Sequence, residues 1–198
     1  MNRQKIIEYF DQRAEGWDAG LKRSDEIIGI ILDNAGVSAG CDVLDVACGT
    51  GVLIPDYLER DAASVTAVDI SSKMAEIARG KFPDERVEVI CGDALEVSYG
   101  RLFDSIIIYN AFPHFIDKEE TIRKLAAFLK PDGILTVAHG MSRERIMQRH
   151  GNVPDEISSV LPPAEELASI FSRYLEVTAV ISDERMYQVA GKRGNDPQ

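Results

Sequence analysis

Five short runs of consecutive apolar residues, SIIIY at 105–109 among them, alternate with segments of helical periodicity, and no other feature of the chain narrows its fold as much. A strand with one face in water alternates apolar and polar residues, whereas a run without alternation belongs to a strand covered on both faces. The chain is therefore expected to form an α/β fold with a central, mostly parallel sheet and strands over 42–46, 64–69, 86–91, 103–109 and 134–139. One crossover helix is clearly marked. Asp117 and Glu120 stand in capping-box spacing, Ile122, Leu125, Ala126 and Leu129 share a face, and KPDG at 130–133 is expected to end the helix.

Two helices are expected ahead of the sheet. The second is capped by Ser24, carries Ile27, Ile28, Ile31, Leu32 and Ala35 at helical spacing, and stops at Gly36. After the fifth strand, 142–150 and 164–174 read as helices, and 175–181 and 185–192 as strands joined by the polar turn SDE, a hairpin that closes the sheet. The ending RGNDPQ reads as a frayed tail. Without repeats or a second composition regime, 1–198 is expected to be one domain. Its parts are cover helices (1–40), a ligand-binding core (41–139), an insert for a second substrate (140–173) and the hairpin (174–193).

Charge removes several function classes. Asp and Glu number 33 against 22 Lys and Arg, a formal charge of −11 that repels phosphate backbones, so nucleic acid is not an expected partner. No run approaches the roughly 18 apolar residues of a membrane span, and the start MNRQKIIEYF lacks a cleavage site, so a cytoplasmic protein with no membrane partner is expected, as monomer or homodimer. Cys41, Cys48 and Cys91 form no CxxC pair, which points to reduced thiols, with neither disulfides nor a bound metal.

The main chemical signal is VLDVACGTG at 43–51, an apolar strand running into a glycine turn and then a helix. Gly49 and Gly51 permit positive φ and let the backbone approach a ligand closely, a feature shared by many nucleotide sites. Asp45, at the strand end before the glycines, opposes a diphosphate and favours a nucleoside that carries positive charge and no phosphate, as S-adenosylmethionine does. The third glycine of a dinucleotide fingerprint is absent, its place taken by Ile54. The next two strands end in Asp69, placed to grip ribose hydroxyls, and in Gly92 and Asp93. Asp93 can accept from an adenine amino group while Gly92 leaves room for the ring.

The motifs VLDVACGTG, VTAVDIS, CGDALEV, FDSIIIYNAF and LKPDGILTVAH together resemble the class I S-adenosylmethionine-dependent methyltransferases, over about 42–139. The resemblance implies a Rossmann-like seven-stranded sheet with an antiparallel last strand and S-adenosyl-L-methionine as cofactor. It places Asp45, Ala47, Gly49 and Gly51 at the methionine part, Asp69 at the ribose, Asp93 and Ala94 at the adenine, and Ile70 and Met74 packing beside them, with Cys48 a further cofactor-binding candidate. Asn110, after the fourth strand, joins this set. The opening YFDQRAEGWD is similar to the N-terminal cover of small-molecule members such as quinone C-methyltransferases, which makes Tyr9 and Trp17 candidate cofactor contacts; ordinary aromatic packing is the alternative for both.

Methyl transfer from a sulfonium mainly requires alignment of donor and acceptor and exclusion of water. For a hydroxyl or acidic-carbon acceptor a general base helps, and His114 in NAFPHF is the candidate, with simple packing as its alternative; His139 and His150 are read as structural. Arg145 and Arg149 share a helix face that could meet an anionic acceptor or could simply be solvated. The motif YNAFP departs from NPPY, which argues against methylation of bases or glutamine and leaves a small-molecule acceptor. A noncatalytic cofactor-binding protein and an NAD-dependent oxidoreductase stay open as alternatives.

Overall fold

The structure, a computed structural model, describes residues 1–151 and 153–194. The side chain of His150 and the tail residues 195–198 lie outside the described residues. Seven strands form one sheet: β1 (Asp42–Val46), β2 (Ser64–Asp69), β3 (Val87–Cys91), β4 (Phe103–Tyr109), β5 (Leu129–His139), β6 (Glu176–Ser182) and β7 (Tyr187–Lys192), in the order β3-β2-β1-β4-β5-β7-β6. The first five run parallel, and β7 inserts antiparallel between β5 and β6. The expected seven-stranded architecture with an antiparallel last strand is what the chain forms.

The unbroken apolar runs are explained by cover on both sides. Leu44 and Val46 of β1 pack with Ile106, Ile108, Leu135 and Val137 into one core, which α5 (Lys118–Ala126) and α7 (Ala164–Phe171) cover. Val43 and Ile107 point the other way, into a second core with α2 (Asp25–Asn34) and α3 (Ile54–Glu59). Local chemistry sets the helix starts. Ser24, Ser71 and Asp117 each accept a hydrogen bond from a backbone N–H of the first turn, capping α2, α4 (Ser72–Lys81) and α5. No helix among the described residues is long and apolar enough to cross a membrane.

Several boundaries differ from expectation: α7 ends at Phe171 rather than 174, β6 is shifted by one residue to Glu176–Ser182, and β7 starts at Tyr187 rather than 185. β3 starts at Val87, one residue late. β5 starts at Leu129, so KPDG lies inside a strand and α5 has already ended at Ala126. Leu129 pairs with Phe103, the register shifts before Ser105 pairs with Ile134, and Asp132 takes φ 63 within this bulge. Gly133 fits there because a Cβ would stand 2.9 Å from the Phe103 carbonyl oxygen and 3.0 Å from that of Lys130.

Strand order reverses beside β1: the chain steps outward through β2 and β3 and then returns to place β4 on β1's other side. Loops leaving the carboxyl ends of β1 and β4 must therefore diverge, which opens a crevice at that edge. The turn after β1 is rigid. At Gly51, φ is 82°, and a Cβ would stand 2.7 Å from the Phe82 ring and 2.8 Å from Ile54 Cδ1. Gly51→Ala is expected to cost about 2–3 kcal/mol through left-handed strain and overpacking, lowering Tm by roughly 5–10 °C in thermal unfolding.

Candidate active site

The β1 tip is held in an unusual backbone path. Ala47 and Gly49 both adopt φ 57 and Gly51 φ 82, three left-handed residues within one turn. Alanine there costs about 1–2 kcal/mol; such outliers concentrate where a ligand needs the backbone. The turn is pinned to β2: Cys48 N–H donates to the Val68 carbonyl at 3.1 Å, and Gly49 N–H donates to Asp69 Oδ2 at 2.8 Å. Asp69 Oδ1 accepts from Ser71 N–H at 2.8 Å, so this one carboxyl organises both loops. Burial raises the Asp69 pKa to about 6 in spite of these two backbone donors, which pull it down.

Asp45 sits beneath the turn. It is 2% exposed, and burial, followed by the nearby charge of Asp69, lifts its pKa to about 7. The Tyr57 hydroxyl is near enough to draw that value down a little, yet neither it nor Asp45 Oδ2 reaches hydrogen-bond geometry. Asp45, which the sequence set against the ligand, is thus a buried carboxyl poised to titrate near neutral pH, and it is not among the residues that line the cavity.

Above the turn lies a cavity of about 1000 Å³ at the carboxyl ends of the strands. Ala47, Cys48 and Gly49 line it from the first loop, Asp69, Ile70 and Met74 from the second, Gly92, Asp93 and Ala94 from the third, and Asn110 from the fourth. Tyr9, Trp17 and His114 face it as well. Of the residues expected at the site, Asp45 and Gly51 do not line the cavity. Asp45 lies under its floor, and Gly51 is needed for packing against Phe82. Asn110, φ 55, accepts from Gly140 N–H at 3.1 Å and so ties the β4 and β5 tips together.

The roof is α1 (Arg3–Asp11) and the 3-10 segment Ala14–Gly20. It is fastened by contacts that no local sequence spacing reveals. Arg3 forms an ion pair with Asp93 at 2.6 Å, Ser71 Oγ donates to Asp11 at 2.5 Å, and Asp18 accepts from Thr50 Oγ1 at 2.6 Å and from Lys81 at 2.8 Å. Phe10 makes edge contacts with both Trp17 (5.6 Å) and His114 (4.9 Å), linking the roof to the β4 loop. Trp17 lies over the glycine turn, its Nε1 3.9 Å from where a Gly49 Cβ would stand. Arg3 and Phe10 line the cavity and Asp11 and Asp18 fasten its roof, and sequence reading singled out none of the four.

His114 follows β4 in a 3-10 turn, Phe112–His114. Its Nδ1 is 3.0 Å from the Ile157 carbonyl oxygen, which can only accept, so Nδ1 carries a proton and, in the neutral ring, the lone pair lies on Nε2. His139 is 2% exposed, also borders the cavity, and stacks edge-on with Tyr187.

Residues 43–133 match the family model described as a methyltransferase domain. The malonyl-[acyl-carrier protein] O-methyltransferase of Acetivibrio thermocellus is 35% identical over 136 residues, which cover 67% of this chain and 48% of that protein. A ubiquinone/menaquinone biosynthesis C-methyltransferase UbiE of Campylobacter jejuni is 27% identical over 161 residues, covering 72% of this chain and 66% of that protein. The chain spans about half the length of the malonyl relatives it matches, 48% and 51%. Among solved structures, the DhpI complex with SAH superposes with TM-score 0.77 at 20% identity, covering 98% of each chain. A methyltransferase in complex with the Haloferax volcanii Trm112 activator superposes with TM-score 0.80 at 18% identity, covering 94% of this chain and 98% of that one.

Proposed function

The chain belongs to the class I S-adenosylmethionine-dependent methyltransferases, and on that premise we propose that it transfers a methyl group to a small-molecule acceptor inside the crevice at the β1/β4 reversal. The observation that carries this is the convergence of four strand-end loops, two with left-handed non-glycine residues, on one roofed cavity. The residues fit the cofactor. The glycine turn leaves its backbone open, Asp69 and Asp93 are acceptors at neighbouring strand ends, and Ile70 and Met74 give apolar walls. S-adenosylmethionine supplies an activated methyl on a sulfonium.

The chain's own work is to hold, orient and dry the reactants. Ala47, Cys48 and Gly49 meet the methionine part, Asp69 the ribose, and Asp93 with Gly92 and Ala94 the adenine. Tyr9 and Trp17 close the roof, which keeps water from the reacting atoms. His114 accepts through Nε2 the proton that an acceptor hydroxyl or acidic carbon gives up, while the Ile157 carbonyl fixes the ring. The formal charge of −11 supports a small acceptor over nucleic acid, and Ile54 in place of a third glycine weighs against a nicotinamide dinucleotide. The chain acts as a monomer or homodimer, and Gly140–Pro163 shapes the acceptor side.

Titration with S-adenosylhomocysteine by calorimetry tests this reading. Asp69→Ala removes the ribose acceptor and strands two backbone N–H groups, so affinity is expected to fall about 10- to 100-fold. Affinity equal to wild type in Asp69→Ala, with the fold intact by circular dichroism, would refute the placement.

A further inference from the structure

The cavity is larger than a nucleoside alone requires. Its volume of about 1000 Å³ stands at the top of the range for small-ligand sites, roughly 300–1,000 Å³. Away from the loops assigned to the cofactor, Phe115, Ile116, Met141 and Ile146 form an apolar wall beside polar lining residues that include Thr121 and His139. The acids bordering that half are already engaged. Asp117 accepts from Glu120 N–H as the cap of α5, Glu120 holds Arg123 through two bonds of 2.6 and 2.7 Å, and Glu96 is paired with Lys124 at 2.7 Å.

The cations divide differently. Arg3 answers Asp93, Lys124 answers Glu96, and the Arg13 guanidinium lies 3.6 Å over the Tyr9 ring. Arg149 and Lys22 border the cavity and have no carboxylate partner among the described residues. In a chain with 33 acidic and 22 basic side chains, a guanidinium that faces a cavity unmatched stands out. Its placement is built. Arg149 lies on α6 (Arg143–His150), three residues after Ile146, which is 2% exposed and borders the same cavity. Ser142 caps the helix, and Arg143 Nε donates to the Leu161 carbonyl at 2.9 Å, fixing its position. Arg145, which the sequence paired with Arg149, is exposed like Arg149 but is not among the residues that line the cavity, so Arg149 is the α6 arginine that borders it.

We propose that the methyl acceptor has an apolar body bearing a carboxylate, and that Arg149 recognises this group, with Lys22 adding positive charge at the rim. A single guanidinium matches a singly charged planar carboxylate, two oxygens to two N–H donors. The carboxylate is a handle, and the atom that attacks is another one, delivered toward His114. This inference rests on the methyltransferase reading above.

Protein saturated with S-adenosylhomocysteine is titrated with hexanoate, hexanamide and hexyl phosphate, for wild type, Arg149→Gln and Arg149→Lys. Hexanoate is expected to bind at least about tenfold more tightly than hexanamide. Arg149→Gln should abolish that preference, Arg149→Lys should keep part of it, and S-adenosylhomocysteine affinity should be unchanged in both. Hexanoate no better than hexanamide, undetectable binding of both included, overturns the proposal. So does an unchanged preference in Arg149→Gln or tighter binding of hexyl phosphate. Failure of S-adenosylhomocysteine to bind wild type would instead refute the methyltransferase reading, which keeps the two failures apart.

Discussion

Replacing His114 with alanine is expected to lower kcat about 100- to 10 000-fold with a hydroxyl or carbon acceptor, while S-adenosylhomocysteine binds within about twofold of wild type. The reason is geometric. The Ile157 carbonyl takes the Nδ1 proton at 3.0 Å and so sets the tautomer, leaving Nε2 as the basic nitrogen of a ring that borders the cavity. Phe10 presses edge-on against the same ring at 4.9 Å, which limits its rotation. A residue that only packed would change stability and leave the acid limb of the pH–rate profile in place. A base loses that limb when it is removed, and added imidazole should restore part of the rate. Equal kcat in wild type and His114→Ala would assign the histidine to packing alone.

Legibility in the sequence follows the range of the interaction concerned. Strands β1, β2 and β4 could be read to the residue because burial on both faces leaves unbroken Val and Ile runs, a local signal. The start of β5 could not be read. Lys130, Pro131, Asp132 and Gly133 form a stop in local terms, and only the carbonyls of Phe103 and Asp104 on the neighbouring strand turn them into a bulge. The floor of the site divides the same way. Glycine at 49 and 51 announces a turn, but which glycine faces the ligand depends on Phe82, a contact across 31 positions. Nothing in an alanine announces φ 57 at Ala47. The roof contacts of Arg3, Asp11 and Asp18 are tertiary in the same sense, because each charge finds its partner only after α1 and the 3-10 segment have docked.

Asp45 shows how pleat geometry overrides a motif, and it carries the second large prediction. Successive strand residues point to opposite faces, so Asp45 follows Val43 into the core shared with α2 and α3, toward Tyr57 and away from the cavity. With a pKa of about 7 in the fold against about 3.9 in an unfolded chain, the folded protein holds a proton that the unfolded chain releases over that interval. The stabilisation is complete below about pH 4 and is lost as pH rises to 7. At about 1.4 kcal/mol per unit, the loss is roughly 4 kcal/mol. Asp45→Asn mimics the protonated form. Urea unfolding of the variant should therefore lack that decline between pH 4.5 and 7.5, and the wild-type curve minus the variant curve should isolate it. Ligand charge gives the complementary sign. A sulfonium favours ionised Asp45 and Asp69, so affinity for S-adenosylmethionine relative to S-adenosylhomocysteine should rise across the same window in wild type and stay flatter in Asp45→Asn. A variant whose stability falls with pH as steeply as wild type would show that Asp45 keeps one protonation state throughout, and the pH dependence would belong to other groups.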